Sequence, residues 1–205
     1  MQVIKYKWLT SEATMEPFLF VKDKEIERIA LFDQKLSFTL GKRMCIGYFK
    51  NGKHMPCPYK RVVDTGHCNE CKLHDDFFFC IKCTGEECIN EKQRGSCKEN
   101  SYFVYLAAFN SILKVGISYQ FRLLERLIEQ GADFAAKIAV VKDGKDVRSV
   151  EQEIKNYLQI VDRVVGNEKH KMLFCNPNIA VANIFNAINS LKNNGVSKHM
   201  IHPEV

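Results

Sequence analysis

The stretch YFVYLAAFNSILKVGI, residues 102–117, decides how the second half of the chain folds. Two runs of strand-forming apolar residues flank an Asn-Ser pair at 110–111, which is the length of a two-residue hairpin turn. In that register Tyr105 lies opposite Gly116. Because strand side chains alternate, Tyr105 and Lys114 are predicted to emerge on the same face, where Gly116 leaves room for the tyrosine ring.

Regular periodicity continues after this hairpin. A helix is predicted over residues 119–130, with Gly131 at the position of a C-terminal cap. A third strand, FAAKIAVV at 134–141, follows it. Ser149 and Gln152 have the spacing of a capping box, which predicts the start of a second helix. The apolar positions of the two helices are Phe121, Leu124, Leu127 and Ile128, then Val150, Ile154, Tyr157 and Val161.

The tail from residue 171 is predicted to form one more strand, KMLFC, and a final helix. Cys175 would lie in that strand and is interpreted as a thiol of the core. Residues 101–205 are therefore predicted to be an α+β domain, a small antiparallel sheet flanked by helices.

The first 56 residues have a different pattern. Short alternating apolar runs are separated by charged turns, as in VIKYKWL, PFLFV, IERIALF, KLSFTL and MCIGYF. This pattern is typical of antiparallel β-structure. We predict an α+β protein with an antiparallel β region at 1–56, a cysteine-rich zinc-binding segment at 57–100 and the α+β domain at 101–205.

Composition restricts the class of protein. The chain has 205 residues, with 46% hydrophobic and 26% charged residues, which is within the globular range and excludes a collagen-like or wholly disordered chain. Its 30 Lys and Arg against 24 Asp and Glu give a net charge of +6, which permits a polyanionic partner such as nucleic acid. Residues 1–10, MQVIKYKWLT, lack the features of a secretory signal, so a cytoplasmic protein without a membrane partner is expected.

Cysteine is the unusual component of the sequence. Eight of the nine cysteines fall within residues 45–97, and two C-x2-C pairs, at 68–71 and 80–83, lie in the middle of this segment. In a reducing compartment such clustered thiols indicate zinc rather than disulfides. A tight turn directs two sulfurs at one ion, and a tetrahedral site needs two more from elsewhere.

The cysteines divide into two sets of four, which predicts two structural zinc sites closed by protein ligands. The two sets are Cys45, Cys57, Cys68 and Cys71, then Cys80, Cys83, Cys88 and Cys97. The alternative is one zinc ion held by the two C-x2-C pairs. A histidine could replace one upstream sulfur, the candidates being His54, His67 and His74.

Residues 102–158 resemble the GIY-YIG nuclease module, in which two tripeptides lie on adjacent strands of a small sheet. FVY, which ends at Tyr105, stands at the first tripeptide, and KVG, from Lys114 to Gly116, stands at the second. The literal motif has changed, because Lys114 replaces the second tripeptide's tyrosine. The resemblance implies a catalytic arginine on the first helix, Arg122 or Arg126. It also implies a glutamate on a later helix that holds Mg²⁺ or Mn²⁺.

The whole chain is similar to an uncharacterised family that joins a cysteine-rich zinc segment to a diverged module of this type. The shared stretches are HCNEC, FCIKC, EEC, GSC, VYLA, KVGIS and LIEQGA. In that arrangement Arg126, just ahead of LIEQGA, is the better match, and Glu151 is the metal-binding acid. The resemblance implies a catalytic set of Tyr105, Lys114, Arg126 and Glu151, with Lys114, Arg122 and Arg126 as nucleic-acid contacts.

Each of these residues also has a purely structural explanation. Arg122 and Arg126, with two nearby glutamates, could form a solvated helix face. Glu151 would lie in the first turn of its helix, where the dipole favours any acid. Tyr105 could be an ordinary strand aromatic. The functional interpretation therefore depends on the four residues acting together.

The sequence favours a zinc-containing protein that binds DNA or RNA and leaves open a metal-dependent endonuclease activity. The alternative is a catalytically inactive, zinc-stabilised scaffold that binds protein through the exposed edges of the N-terminal β region. A third interpretation makes the clustered thiols a redox sensor.

Overall fold

A computed structural model describes residues 1–10, 14–194 and 200–204. The chain divides into two compact units, Met1–Lys82 and Cys83–Val205. Both contain strands and helices, so the predicted α+β class is confirmed. The division falls inside the cysteine-rich segment 57–100, which contributes residues to each unit. No helix in the described part of the chain is both long and apolar enough to cross a membrane.

The unit Met1–Lys82 contains an antiparallel sheet of three strands in the order β1-β2-β3, as the alternating apolar runs predict. A short hairpin, β4 and β5, and one helix follow. These elements are β1 (Gln2–Thr10), β2 (Met15–Lys22), β3 (Ile26–Ala30), β4 (Tyr48–Lys50), β5 (Lys53–Met55) and α1 (Asn69–His74). The predicted strand KLSFTL, residues 35–40, is irregular and exposed, because no neighbouring strand pairs with it among the described residues.

The unit Cys83–Val205 is built on a four-stranded antiparallel sheet in the order β7-β6-β8-β9. Its strands are β6 (Ser101–Phe109), β7 (Ile112–Tyr119), β8 (Phe134–Lys142) and β9 (Met200–Glu204). Its helices are α2 (Glu91–Glu99), α3 (Leu123–Gln130), α4 (Gly144–Leu158), α5 (Gly166–Lys171) and α6 (Pro177–Asn194). Three of these elements, α2 in the cysteine-rich segment, α5 and β9 near the end, are additional to those predicted from the sequence.

The predicted hairpin is confirmed in its register. Tyr105 pairs with Gly116 and Ala107 pairs with Lys114, and Asn110 adopts a positive φ of 50° in the turn. A Cβ on Gly116 would lie 2.6 Å from the Tyr105 hydroxyl oxygen, so the glycine does make room for the ring. The sheet buries side chains on both faces, since α4 and α6 pack on one face and α3 packs on the face of Tyr105.

The predicted start of α4 is wrong. The helix begins at Gly144, five residues before Ser149, and Asp143 is its N-cap. The Asp143 carboxylate accepts a hydrogen bond from the Lys145 amide at 2.8 Å and a bidentate pair from Arg94 at 2.6 and 2.7 Å. A helix begins where a side-chain oxygen reaches its free amides. The ion pair with Arg94 holds the Asp143 carboxylate in that position.

Three further expectations need correction. Phe121 and Leu124 are 79% and 65% exposed, whereas Leu127 packs on the sheet as predicted and Leu123 packs beside it. The segment KMLFC is not a strand, since α5 extends to residue 171 and turns follow it. Cys175 is accordingly exposed and not a core thiol. The final helix, α6, is confirmed.

Candidate metal centre and polar cluster

Four cysteines of the unit Met1–Lys82 come together in its interior. Each is at most 8% exposed, and their sulfur atoms all lie within 4.8 Å of one another. They are Cys45, Cys57, Cys68 and Cys71, the set predicted from the sequence for the first zinc site.

Local structure holds these thiols in place. Cys68 is the N-cap residue of α1, so the first turn of the helix directs Cys71 toward the same point. The Cys68 amide donates to the Cys45 sulfur at 3.2 Å. The Cys45 amide donates to the Arg61 carbonyl at 2.8 Å. This bond connects Cys45 to the segment between Cys57 and Cys68.

Gly47 allows the chain to approach itself between Cys45 and Cys57. Its φ is +88°, and a Cβ there would overlap the Met55 carbonyl oxygen and lie 3.0 Å from the Cys57 amide nitrogen. A side chain at this position would therefore force Cys57 away from the other thiols.

The protonation of these thiols suits a metal site. Burial raises the pKa of Cys68 and of Cys71. Burial also raises the pKa of Cys57, but hydrogen bonds from the backbone of Arg61 and Tyr59 and from the thiols of Cys45 and Cys71 together outweigh it and lower the pKa to about 7. A cation would stabilise all four thiolates, and a buried set of four sulfurs matches tetrahedral zinc. The four cysteines could therefore bind one zinc ion, with every position filled by protein and a structural role.

The second predicted set is not assembled in the same way. Cys80 belongs to the unit Met1–Lys82, and the other three belong to the unit Cys83–Val205. Within the described residues those three do not form a group of converging ligands. The Cys83 sulfur donates to the Glu87 carbonyl at 3.8 Å, and Cys97 lies on α2 beside Gly144. In the unit Met1–Lys82 the first C-x2-C pair, Cys68 and Cys71, converges with Cys45 and Cys57.

The three histidines near the metal centre have other contacts. His54 and His67 bond to the backbone carbonyls of Ile46 and Gly47, and His74 packs against the ring of Tyr48. None of them belongs to the converging ligand group among the described residues.

A second feature, the polar cluster, lies in the unit Cys83–Val205 and consists of Tyr105, Lys114, Arg126 and Gln130. Tyr105 is fully buried, and its hydroxyl accepts hydrogen bonds from Arg126 Nε at 3.2 Å and Gln130 Nε2 at 2.9 Å. Lys114 Nζ donates to Gln130 Oε1 at 3.1 Å. Three of the four predicted catalytic residues are thus brought together by hydrogen bonds.

Gln130 is the member that was missed in the sequence. It stands four residues after Arg126 on α3, so both side chains lie on the same face of the helix. That spacing could have identified it, since the face already carried the predicted arginine.

The two candidate arginines have different surroundings. Arg122 pairs with Glu125 at 3.2 Å and with Glu129 at 3.7 Å, which is the solvated helix face considered above. Arg126 has no carboxylate within ion-pair distance among the described residues, and its exposed side chain turns to the Tyr105 hydroxyl. The geometry therefore places Arg126, and not Arg122, in the cluster.

Lys114 is a buried cation, only 7% exposed. Burial lowers its pKa to about 8, the charge of Arg126 acts in the same direction, and the carboxylates of Glu151 and Asp162 oppose the shift. Within the described chain no carboxylate lies within ion-pair distance of its ammonium. An unpaired buried cation is costly, and the arrangement suits a site that receives an anion.

Glu151, the fourth predicted catalytic residue, has its own surroundings on α4. It is in the middle of α4, not its first turn, so the helix dipole does not explain it. The residue is 5% exposed, burial raises the pKa of its carboxyl, and Arg148 NH1 lies 3.4 Å from Oε2. No hydrogen bond joins it to the polar cluster in the described part of the chain, although the charges of Lys114 and Arg126 act to lower its pKa.

The chain is similar to one protein family over a range that includes both the metal centre and the polar cluster. A family model matches residues 33–194, which include the four converging cysteines and the polar cluster. That family is described as Protein of unknown function (DUF2797). No curated protein and no solved structure matches the chain. Since the match covers most of its residues, the chain belongs to the DUF2797 family.

Proposed function

We propose that this protein binds nucleic acid through the polar cluster, with the phosphodiester backbone as its ligand. The observation that carries the proposal is a pair of cations in one cluster, neither with a carboxylate partner among the described residues. Arg126 donates to the buried Tyr105 hydroxyl, and Lys114 donates to Gln130 and lies 5.9 Å from the centre of the Tyr105 ring. Arginine supplies a bidentate fork for phosphate, and lysine supplies a point charge. The net charge of +6 acts in the same direction over longer distances.

Zinc has a structural part in this proposal. Four buried sulfurs leave no open coordination position for a water nucleophile. When bound, the ion would crosslink residues 45–71, which contain few regular elements.

Cleavage of the phosphodiester is the finer part of the proposal and draws on the resemblance to GIY-YIG nucleases. Glu151 would hold Mg²⁺ or Mn²⁺, and such ions are often bound by one carboxylate together with substrate phosphate. The raised pKa of its buried carboxyl is consistent with a group that gains from a nearby cation. Arg126 and Lys114 would stabilise the charge on the phosphate.

Binding is tested by fluorescence anisotropy with labelled DNA and RNA at several salt concentrations. Arg126→Gln should weaken binding and lower the salt dependence by about one phosphate contact. Arg122→Gln is the matched control, because Arg122 is the N-cap residue of the same helix and is already paired with glutamates. Equal losses in both variants, or affinity that does not change with salt, would contradict the proposal.

Cleavage is tested by incubation with single-stranded and structured nucleic acids in Mg²⁺ or Mn²⁺. Glu151→Gln should abolish cleavage while binding persists. Glu153→Gln, an exposed position two residues along α4, is the control. Wild-type activity in Glu151→Gln would exclude Glu151 as the metal carrier.

The alternative function, a protein-binding scaffold, also has a specific observation in its favour. Strand β3 pairs on one side only within the described residues, so its outer edge is available for strand addition. Co-purified partners that resist nuclease treatment, together with no affinity for nucleic acid, would favour the scaffold.

A further inference from the structure

A cavity of about 270 Å³ lies beside the polar cluster. Gln130 belongs to both, because it lines the cavity while its side-chain amide contacts Tyr105 and Lys114. Phe109, another lining residue, lies on the same face of β6 as Tyr105. A strand of nucleic acid bound at the polar cluster would therefore extend into this cavity.

The cavity has a cationic side and an apolar side. Lys169 supplies the cation, and Phe109, Met172 and Leu173 form the apolar side. His170 and Asp133 also line the cavity, and the Asp133 carboxylate accepts a hydrogen bond from the Asn110 amide at 2.6 Å. This combination suits a ligand that joins a phosphate to a ring. The volume is slightly below the roughly 300 Å³ at which small-molecule sites begin, so one nucleotide unit fits better than a large cofactor.

Lys169 holds its ammonium at the wall of the cavity. Its Nζ donates to the Gln130 carbonyl at 2.7 Å and lies 4.6 Å from the centre of the Phe109 ring. No carboxylate lies within ion-pair distance of it among the described residues. An ammonium has three donors, so donors remain for an anion. Burial lowers the pKa of Lys169 and the charge of Lys114 lowers it further, and a bound anion would offset both effects.

Phe174 follows directly after the apolar side of the cavity. Its side chain is fully exposed, and its φ of 66° is in the left-handed region, which is unusual for a bulky residue. Exposed aromatic rings are the surfaces on which single-stranded bases stack.

We propose that this cavity binds one nucleotide unit, with the phosphate on Lys169 and the base between the apolar side and Phe174. The inference rests on the proposed nucleic-acid-binding function and specifies an unpaired strand as its substrate. A free nucleoside monophosphate has the same chemistry, so the experiment includes both ligands.

The test measures binding of a short labelled single-stranded oligonucleotide by anisotropy and of adenosine monophosphate by calorimetry, with the full chain. Lys169→Met, which removes the charge but keeps an unbranched aliphatic side chain at this position, should weaken oligonucleotide binding about three- to tenfold, the range of one phosphate contact. Phe174→Ala should weaken it about tenfold by removing a stacking surface, and it should affect duplex binding less. Lys171→Met is the control, since Lys171 lies on the same helix and pairs with Glu168.

The outcomes separate the two proposals. If Lys169→Met and Phe174→Ala weaken the oligonucleotide, the nucleotide site is supported, and Lys169-dependent binding of adenosine monophosphate identifies a free nucleotide as a second ligand. If Arg126→Gln weakens binding while Lys169→Met and Phe174→Ala do not, the cavity proposal is overturned and the proposed function stands. If the wild type binds no nucleic acid, both fall.

Discussion

At the scale of single residues, the position of Tyr105 is set by its neighbour across the hairpin. The ring is fully buried and its hydroxyl is held by Arg126 and Gln130, so it has little freedom to move. A Cβ on Gly116 would lie 2.6 Å from the hydroxyl oxygen and 2.7 Å from Cζ of the ring. The cluster therefore depends on the absence of a side chain at Gly116.

Gly116→Ala should destabilise the protein by about 1–3 kcal/mol, the usual range for overpacking a core, and weaken nucleic-acid binding. Gly95→Ala is the matched control in the same unit, since a Cβ there meets nothing within 4 Å and the residue lies inside α2. That variant should be stabilised by roughly 0.5–1 kcal/mol. Urea unfolding measures both, and stabilities that change equally in the two variants would contradict the steric argument.

Lys114 makes stability depend on pH. Burial lowers its pKa from 10.5 to about 8, so between these values the unfolded chain binds more protons than the folded chain. Stability attributable to Lys114 should therefore rise as the pH increases from about 8 to 10.5. The measurement is the difference in unfolding free energy between wild type and Lys114→Met across this range, without added Mg²⁺. A constant difference would show that Lys114 is not a buried cation.

At the scale of elements, the start of α4 determines where Glu151 lies. Asp143 caps the helix and pairs with Arg94 of α2, whose side chain is partly buried. Because the helix begins at Gly144, Glu151 falls in its buried middle. A start at Ser149 would have left the same glutamate at the exposed end of the helix.

Asp143→Ala should destabilise the protein by about 1–2 kcal/mol, since both the cap and the Arg94 pair are lost. Asp146→Ala, an exposed acid in the same first turn, should change stability by less than about 0.5 kcal/mol. Chemical denaturation followed by circular dichroism gives both values. A larger loss of stability in Asp146→Ala than in Asp143→Ala would mean that Asp143 does not cap the helix.

At the scale of the whole molecule, the two units have different sources of stability. The unit Cys83–Val205 has a large apolar core formed by its sheet with α4 and α6. The unit Met1–Lys82 has a small cluster whose buried members are the four cysteines. Metal binding should therefore stabilise mainly the unit Met1–Lys82.

Removal of zinc should abolish hydrogen-exchange protection in residues 43–76 and leave it in β6, β8 and α4. Cys57→Ser should lose the ion in native mass spectrometry, whereas Cys175→Ser, at an exposed position, should retain it. Unchanged protection of residues 43–76 in a metal-free sample would refute the structural role of zinc.

The sequence by itself determined the hairpin register and the first cysteine set. Turn length and the alternation of side chains settle which residues face each other, and cysteines clustered in one segment with C-x2-C spacing are typical of zinc ligands. Neither inference requires knowledge of how distant elements pack.

The tertiary structure alone decided the remaining features of the site. Which of Arg122 and Arg126 turns to Tyr105, and the burial of Glu151, depend on how α3 and α4 lie on the sheet. Gln130 contributes because its amide reaches two groups from different strands. Such contacts between elements arise from packing, and local periodicity carries no information about them.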